Sequence, residues 1–458
     1  MKIYKNSINI LFLGVALISS SSCKKLVEVP FPGDKLSKVT VFESDAVATS
    51  AMIGLYTQMI KTNTQFASIG MTLLLGLSAD EIVNTTSSII YDEFTSNQLS
   101  TGNSMLRSCF WISTYNIIFQ ANNLIEGLEG SASISSSVRN QLLGESKFIR
   151  AFCYFCLVNL FGDVPLVTIT DYTVTASLPR ATVDLVYGQV ISDLKESQNL
   201  LGAAYITAGK VRPNKWAATA LLARVYLYKR DWILAEQEAT SVINSAVYSL
   251  VSDLNTVFLA NSNEAIWQLV PVSTTFNTWE GNIFIPATGT VPTYILSSLQ
   301  LNAFFVNDAR KTSWTKNTTV AGNQYYYPNK YKVRTATTVT EYYTVLRYAE
   351  MYLVRVEART NQNNISGAQS DLNKIRTRAG LPNTAANDQA GLLSAIERER
   401  QVELFCEFGH RWLDLKRTGR ADAVLSALKP NWQATDALYP IPEIEIRLNP
   451  FLLQNPGY

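Results

Sequence analysis

The chain carries a single histidine, His410, in 458 residues. A Ser-His-Asp or Cys-His site can therefore be built in only one place. His410 sits in Glu407-Phe408-Gly409-His410-Arg411-Trp412, with no recognisable activated nucleophile beside it. It reads as a helix-end residue, partly exposed or bonded to a carbonyl, and no catalytic residue is assigned. Charge is scarce as well: Asp, Glu, Lys and Arg make up 17% of the chain, against a usual share of about a quarter. The formal balance is +2, and Lys2 and Lys5 lie in the first 22 residues, so the remainder is neutral. A neutral chain has no electrostatic footing for nucleic acid or a strongly anionic surface. There are five cysteines, and two of them, Cys153 and Cys156, form a C-x-x-C. The run around them, Phe148 to Val158, is apolar with a helical period, and no histidine or second pair lies nearby. Both read as small core hydrophobes rather than a redox or zinc pair, and neither metal nor cofactor is expected.

What is present begins at the N-terminus. Lys2 and Lys5 precede an apolar run from Ile8 to Ile18, then Ser19 to Ser22, then Cys23. A basic start, a short apolar core and a small-residue patch read as a secretory signal over 1–22. The core is too short for a bilayer-spanning helix, which needs roughly 20 apolar residues. A cysteine placed directly after the small residues resembles the lipobox of bacterial lipoproteins, so Cys23 is the expected site of lipidation. Residues 23–44, interrupted by Pro30, Pro32 and Gly33, read as a tether.

Beyond the tether the chain reads as helices in pairs. Helical period predicts Ala46–Ile60, Ser104–Leu128 and Val138–Phe161, the last stopped by Gly162 and Pro165. Val183–Leu200 follows with Thr182 placed to cap it, then a tight pair, Asn214–Lys229 and Trp232–Ser245, around Arg230-Asp231. In that pair Leu222, Ala223, Tyr226, Ala235 and Ala239 stand close to tetratricopeptide spacing, where small residues let two helices approach. Leu346, Ala349, Leu353 and Val356, then Ala368, Leu372, Ile375 and Ala379, repeat the theme. Residues 247–343 differ: Pro271, Pro286, Pro292 and Pro328 punctuate short alternating runs, predicting loops with a few short strands. The tail from Leu438 carries four prolines and cannot be one helix. The fold expected is mainly α, tetratricopeptide-like helical pairs in an α-α superhelix, with an irregular loop-rich C-terminal subdomain containing a few short strands.

Four segments together resemble the SusD-like (RagB/SusD) family of outer-membrane nutrient-binding lipoproteins. They are ESKFIRAFCYFCLVNLFGDVPLV (145–167); LRYAEMYLVRVEA (346–358) with DLNKIRTRAGLP (371–382); ERERQVELFCEFGHRWLDLKR (397–417); and LYPIPEIEIRLNPFLLQNPGY (438–458). The resemblance implies an N-terminal SusD-like helical region over 45–246 and a C-terminal SusD/RagB region over 247–458, with an aromatic loop insertion at 271–330. It also implies a non-catalytic, lipid-anchored outer-membrane protein facing the cell surface. Its implied partners are an oligosaccharide ligand and a TonB-dependent (SusC-like) transporter that receives it. The alternatives are an all-α glycoside hydrolase and a tetratricopeptide-type protein-interaction lipoprotein.

Two sets of residues bear on these choices. Glu403, Glu407 and Arg411 fall on one stripe if a helix runs through Gly409, and two close carboxylates can serve a glycosidase. The segment has as many basic residues as acids, so the preferred reading is an ion-paired network with Arg400, Arg411 and Arg417 that docks this helix onto the tail. Asp80-Glu81 and Asp92-Glu93 read as caps or solvated loop. The positive signal is aromatic: 49 of the residues are Phe, Trp or Tyr, more than the 39 basic or 37 acidic ones. Most sit on helical stripes, but Phe276, Trp279, Trp314 and the run Tyr325-Tyr326-Tyr327 lie on polar, Pro/Gly-punctuated segments. Those six are the expected ligand-binding residues, because sugar faces stack on aromatic rings, with Asn277, Glu280, Asn282 and Asn323 as candidate polar partners.

Overall fold

A computed structural model describes residues 38–458; the signal segment, Cys23 and most of the tether lie outside the described residues. The helical ladder begins at α1 (Asp45–Ile60), where the Ser44 hydroxyl accepts from Val47 N. The short α2 (Ile89–Ser96) and the longer α3 (Ser113–Gly130) and α4 (Ser136–Phe161) follow. Next come α5 (Val183–Leu200), α6 (Lys215–Tyr228) and α7 (Trp232–Asn244). The start signals are side-chain oxygens on the third amide of each helix. Thr182 accepts from Leu185 N at 3.4 Å, Asn214 from Ala217 N at 3.0 Å, and Asp231 from Leu234 N at 3.2 Å. Arg230 turns the chain between α6 and α7 at φ 59°.

Successive helices are spatial neighbours from α3 through α7. The small residues do what their spacing implies: Ala217, Ala218, Ala220 and Ala223 of α6 and Ala235 and Ala239 of α7 are wholly buried in the contact. α4 is the central rod, buried along nearly its whole length from Leu142 to Phe161. Cys153 and Cys156 on it are free, buried thiols. Ion pairs anchor α4 to its surroundings, among them Arg150 to Asp193 of α5 at 2.7 Å, Glu145 to Arg212 at 2.6 Å and Lys147 to Glu196 at 3.0 Å.

One helical stretch escapes periodicity analysis. Phe66–Leu74 winds as a wide π-type helix and continues into the turn Leu75–Ser78, and every residue of both is buried. A segment apolar on all sides has no amphipathic stripe to read. The helix expected over Ser104–Leu128 also starts differently, with a π-type stretch over Leu106–Ile112 before α3.

Among the described residues there are also four two-stranded antiparallel sheets. β1 (Ile82–Asn84) pairs with β5 (Tyr294–Leu296), and β2 (Val164–Pro165) with β3 (Arg180–Ala181). β4 (Ala265–Leu269) pairs with β8 (Tyr343–Arg347), and β6 (Thr315–Val320) with β7 (Asn323–Pro328). Between β4 and β5 lies the short α8 (Trp279–Phe284). After β8 the helices resume as α9 (Tyr348–Asn361), α10 (Ile365–Arg378), α11 (Gln389–Glu403), α12 (His410–Arg417) and α13 (Ala421–Leu425). α7 packs directly on α9, so the ladder closes across the irregular residues between them. The architecture is thus mainly helical, built of tetratricopeptide-like pairs with a loop-rich C-terminal part. No described helix is long and apolar enough to cross a membrane.

The expected stripe of Glu403, Glu407 and Arg411 does not form. α11 ends at Glu403, and the chain turns through Cys406, Phe408 and Gly409 at φ 51°, 41° and 72° before α12 starts. Gly409 is required there: besides its positive φ, a Cβ would sit 2.2 Å from Leu75 Cδ1. The charges are paired as expected, but with other partners. Glu403 binds Arg347 at 2.7 Å and Arg310 at 2.9 Å and also contacts Arg378, while Glu407 binds Arg347 at 2.6 Å and also Lys330. Arg411 reaches Asp80 at 2.7 Å, and Arg400 holds Asp414 at 2.7 Å. Nor does this network hold the tail. The tail is docked by other contacts: Tyr439 N to Leu160 O at 2.9 Å, Asn455 Nδ2 to Phe161 O at 2.8 Å, Arg180 to Leu453 O at 2.7 Å, and the ion pair of Arg107 with Glu445 at 2.8 Å.

Candidate functional site

The aromatic candidates separate into three groups once their neighbours are known. Phe276 and Trp279 come together, ring centroids 4.6 Å apart at 58°, and both remain partly exposed. Their scaffold is rigid. Thr278 caps α8 by accepting from Gly281 N at 3.1 Å, and Trp279 N donates to the Tyr343 hydroxyl at 3.0 Å. Gly281 lies so close to the segment at 333–334 that a Cβ would meet Val333 O at 2.4 Å. Asn282 Nδ2 donates to Arg334 O at 3.1 Å and fastens the same contact.

The tyrosine run is divided by depth along the hairpin, Tyr325 and Tyr326 lying toward its turn and Tyr327 toward the core. Tyr325, Tyr326 and Tyr327 stand opposite Thr318, Asn317 and Lys316 in the β6–β7 hairpin. Tyr325 and Tyr326 are partly exposed, and the Tyr326 hydroxyl donates to Gln324 Oε1 at 3.2 Å. Tyr327 is buried and is withdrawn as a stacking residue, because β7 enters the core at that point. Trp314 is withdrawn for a stronger reason. It is wholly buried, its indole N–H donates to Leu254 O at 2.9 Å, and the Lys330 ammonium sits 4.6 Å from its ring centroid. It roofs the buried ion network instead of meeting solvent.

α8 and β7 both lean on β5, so the two remaining aromatic groups flank a common strand. Tyr294 of β5 is buried, its ring 6.0 Å edge-on from Tyr91 of α2 and 6.3 Å from Phe284 of α8. Tyr91 is partly exposed, and this cluster extends the candidate surface. The polar partners are fewer than expected. Asn277 is buried against Thr340 at 3.0 Å, and Glu280 is buried and accepts from Thr72 Oγ1 at 3.2 Å. Asn282 and Asn323 remain at the surface.

Glu403 and Glu407, the two carboxylates considered for a glycosidase, are both buried in ion pairs. Burial alone would raise the Glu403 carboxyl, but Arg378, Arg347 and Arg310 outweigh it and hold the group well below the ordinary range. Glu81 and Glu280 move the other way. Burial pushes each up to about 8, with the Asp80 charge adding to the effect at Glu81. Asp80 and Glu81 are thus interior groups rather than loop residues, Glu81 accepting from Cys406 N at 3.2 Å. Glu280 faces a cavity of about 10 Å³, room for roughly one water and no sugar ring. His410 differs from expectation too: it is buried at the start of α12 with no partner on Nδ1. Burial, with Arg224 and Arg400 nearby, depresses its proton affinity and keeps it neutral. Asp92 and Glu93 do serve local turns, accepting from Ser88 N and Ser100 N.

Comparison with known proteins bears on both halves of the chain. Residues 34–227 match the SusD-like family model described as "Starch-binding associating with outer membrane", and residues 276–458 match the SusD family model. A SusD-like protein of Formosa agariphila is 25% identical, with 98% of this chain and 99% of that protein covered. Among solved structures, a SusD superfamily protein of Bacteroides vulgatus superposes with a TM-score of 0.81 at 21% identity, covering 90% of this chain and 99% of that one. A laminarin-binding SusD-like protein superposes with a TM-score of 0.79 at 24% identity, covering 91% of this chain and all of that one. At these identities the structural matches establish a shared fold.

Proposed function

Because this chain belongs to the SusD-like family, we propose that it is a non-catalytic, lipid-anchored protein of the outer-membrane surface that captures oligosaccharides and delivers them to a TonB-dependent transporter. The observation that carries the binding role is the Phe276–Trp279 pair. Two large rings are held on a capped, strapped turn of helix and stay partly exposed although the fold does not need that exposure. Such an arrangement offers a stacking face for a sugar ring at little entropic cost, because the rings are already fixed. Tyr325, Tyr326 and Tyr91 lie around the same strand and extend the face. The carboxylates support a non-catalytic role: those near the interior are either charge-paired or sealed from any substrate. Anchoring rests on Cys23, where several acyl chains would hold the protein more firmly than any single one.

The test is calorimetric titration of the purified protein against a glycan panel that includes laminarin, the ligand in the name of one structural neighbour. Trp279→Ala should weaken the best ligand by roughly 30-fold, about 2 kcal/mol, while the melting temperature stays close to wild type. A variant that melts early yet binds normally would assign Trp279 to the core and overturn this site.

A further inference from the structure

A groove of about 540 Å³ crosses α5, α6 and α7 on the helical ladder. None of Phe276, Trp279, Tyr325 or Tyr326 lines it. Its size falls in the range of about 300–1,000 Å³ usual for small-ligand sites. Of the ten residues in its wall, nine are Gln, Asn, Ser, Thr, Lys or Glu, and the other is Trp216. No aliphatic side chain is among them.

The polar side of the groove is already oriented. The Thr219 hydroxyl donates its one proton to Lys215 O at 2.9 Å, so toward other groups its oxygen can only accept. Gln198 Nε2 donates to that oxygen at 2.9 Å and to Glu238 Oε2 at 2.9 Å. The amide must therefore turn its N–H₂ toward Thr219 and Glu238, which points its carbonyl oxygen away from both as an acceptor for a ligand. Gln198 and Glu238 are partly exposed, and Ser241 of α7 beside them is exposed. Burial raises the Glu238 carboxyl, so water is partly excluded there and hydrogen bonds made to it are strengthened. Trp216 is partly exposed while its indole N–H is buried, so its side chain can offer the groove only carbon.

Ring carbon beside oriented amide, hydroxyl and carboxylate groups is the complement of a sugar, which has C–H faces and a rim of hydroxyls that both donate and accept. Lys215 and Glu238 are the only charges in the wall and they cancel, so nothing favours an ionised ligand. A peptide side chain would find no aliphatic pocket. We propose that this groove is a second carbohydrate site, taking about one or two neutral sugar units with hydroxyls on Gln198 and Glu238 and a C–H face against Trp216. The choice of a sugar over another polyol rests on the binding role proposed above; the groove itself is independent of the Phe276–Trp279 surface.

The full chain is studied by saturation-transfer NMR and calorimetry with maltotriose, laminaritriose, mannotriose and xylotriose. Trigalacturonate and a Gly-Ser hexapeptide serve as controls. Trp279→Ala removes the loop site, so the binding that remains reports the groove. At least one neutral trisaccharide should still bind this variant, with an affinity that salt leaves unchanged. Adding Ser241→Trp fills the groove from an exposed position without breaking an ion pair. It should lower the remaining affinity by roughly tenfold or more at an unchanged melting temperature. Gln198→Leu, which removes the oriented amide, should weaken it as well. Binding that survives Trp279→Ala and falls with Ser241→Trp supports the groove whatever becomes of the loop site. Binding that is lost in Trp279→Ala alone leaves the loop site standing and overturns the groove. No neutral trisaccharide bound by Trp279→Ala, equal or tighter binding of either control, or full affinity with Ser241→Trp would also overturn it.

Discussion

Substituting Glu403 by Gln perturbs the most connected charge in the molecule. Five basic groups, Arg310, Lys330, Arg347, Arg376 and Arg378, meet five acids, Asp308, Glu264, Glu399, Glu403 and Glu407, in one continuous buried network. Glu403 contacts three of the five bases, with Arg347 on Oε1 at 2.7 Å and Arg310 on Oε2 at 2.9 Å. Gln keeps the shape but leaves five positive charges against four negative ones and turns an amide N–H₂ toward a guanidinium. Removing one partner of a buried pair costs about 3–5 kcal/mol. For a chain of this length each kcal/mol shifts the melting temperature by about 1 °C, so a fall of about 3–5 °C is expected at pH 7. The pH dependence carries a second signature. Arginine neighbours hold the folded Glu403 carboxyl well below its unfolded value near 4.3, so its contribution is full above that value. The contribution is lost as the pH falls through the folded value, and Glu403→Gln has no such group to lose. The gap between wild type and variant should therefore hold from pH 7 to about pH 5 and narrow as the pH falls below about 4. Differential scanning calorimetry at several pH values checks both points. A variant that melts with the wild type at pH 7, or a gap that stays constant or widens in acid, would refute the reasoning.

Trp314→Ala should cost about 3–5 kcal/mol because the ring is wholly buried, and glycan affinity of the folded protein should be unchanged by titration. Cys109, Cys153, Cys156 and Cys406 are buried and unpaired, and burial pushes the Cys156 thiol up to about 12. All four should resist Ellman's reagent in native buffer and react once the chain is unfolded in guanidinium. Cys23→Ala should leave the membrane fraction or remain unprocessed, which fractionation and immunoblotting would show; unchanged detergent partitioning would remove the lipoprotein assignment.

How much of this was legible beforehand depends on the distance over which each feature is decided. Helix positions follow from neighbours three and four residues away, so α1, α4, α5, α6 and α7 appear within a residue or two of where period and capping put them. Thr182 is the clearest case, a cap recognisable from the residue before the first apolar turn. The small-residue spacing of Ala223, Ala235 and Ala239 likewise marked a close helix pair, because approach is limited by side-chain size, a local property. The family segments, with the aromatic excess of the insertion, pointed to the kind of protein without locating a ligand. Features that depend on which distant groups meet were not legible. Arg411 finds Asp80 at a separation of 331 residues, and Arg347 gathers Glu264, Glu403 and Glu407 from either side of the chain. A carboxylate on a helical stripe looks the same whether its partner is four residues away or three hundred. Trp314 and Trp279 both follow polar segments, yet one is sealed under a lysine and the other is left partly open. Phe258, Phe405 and Lys330 close over Trp314, whereas Trp279 meets Phe276 at the surface, because burial of a loop residue is set by what the rest of the chain lays over it.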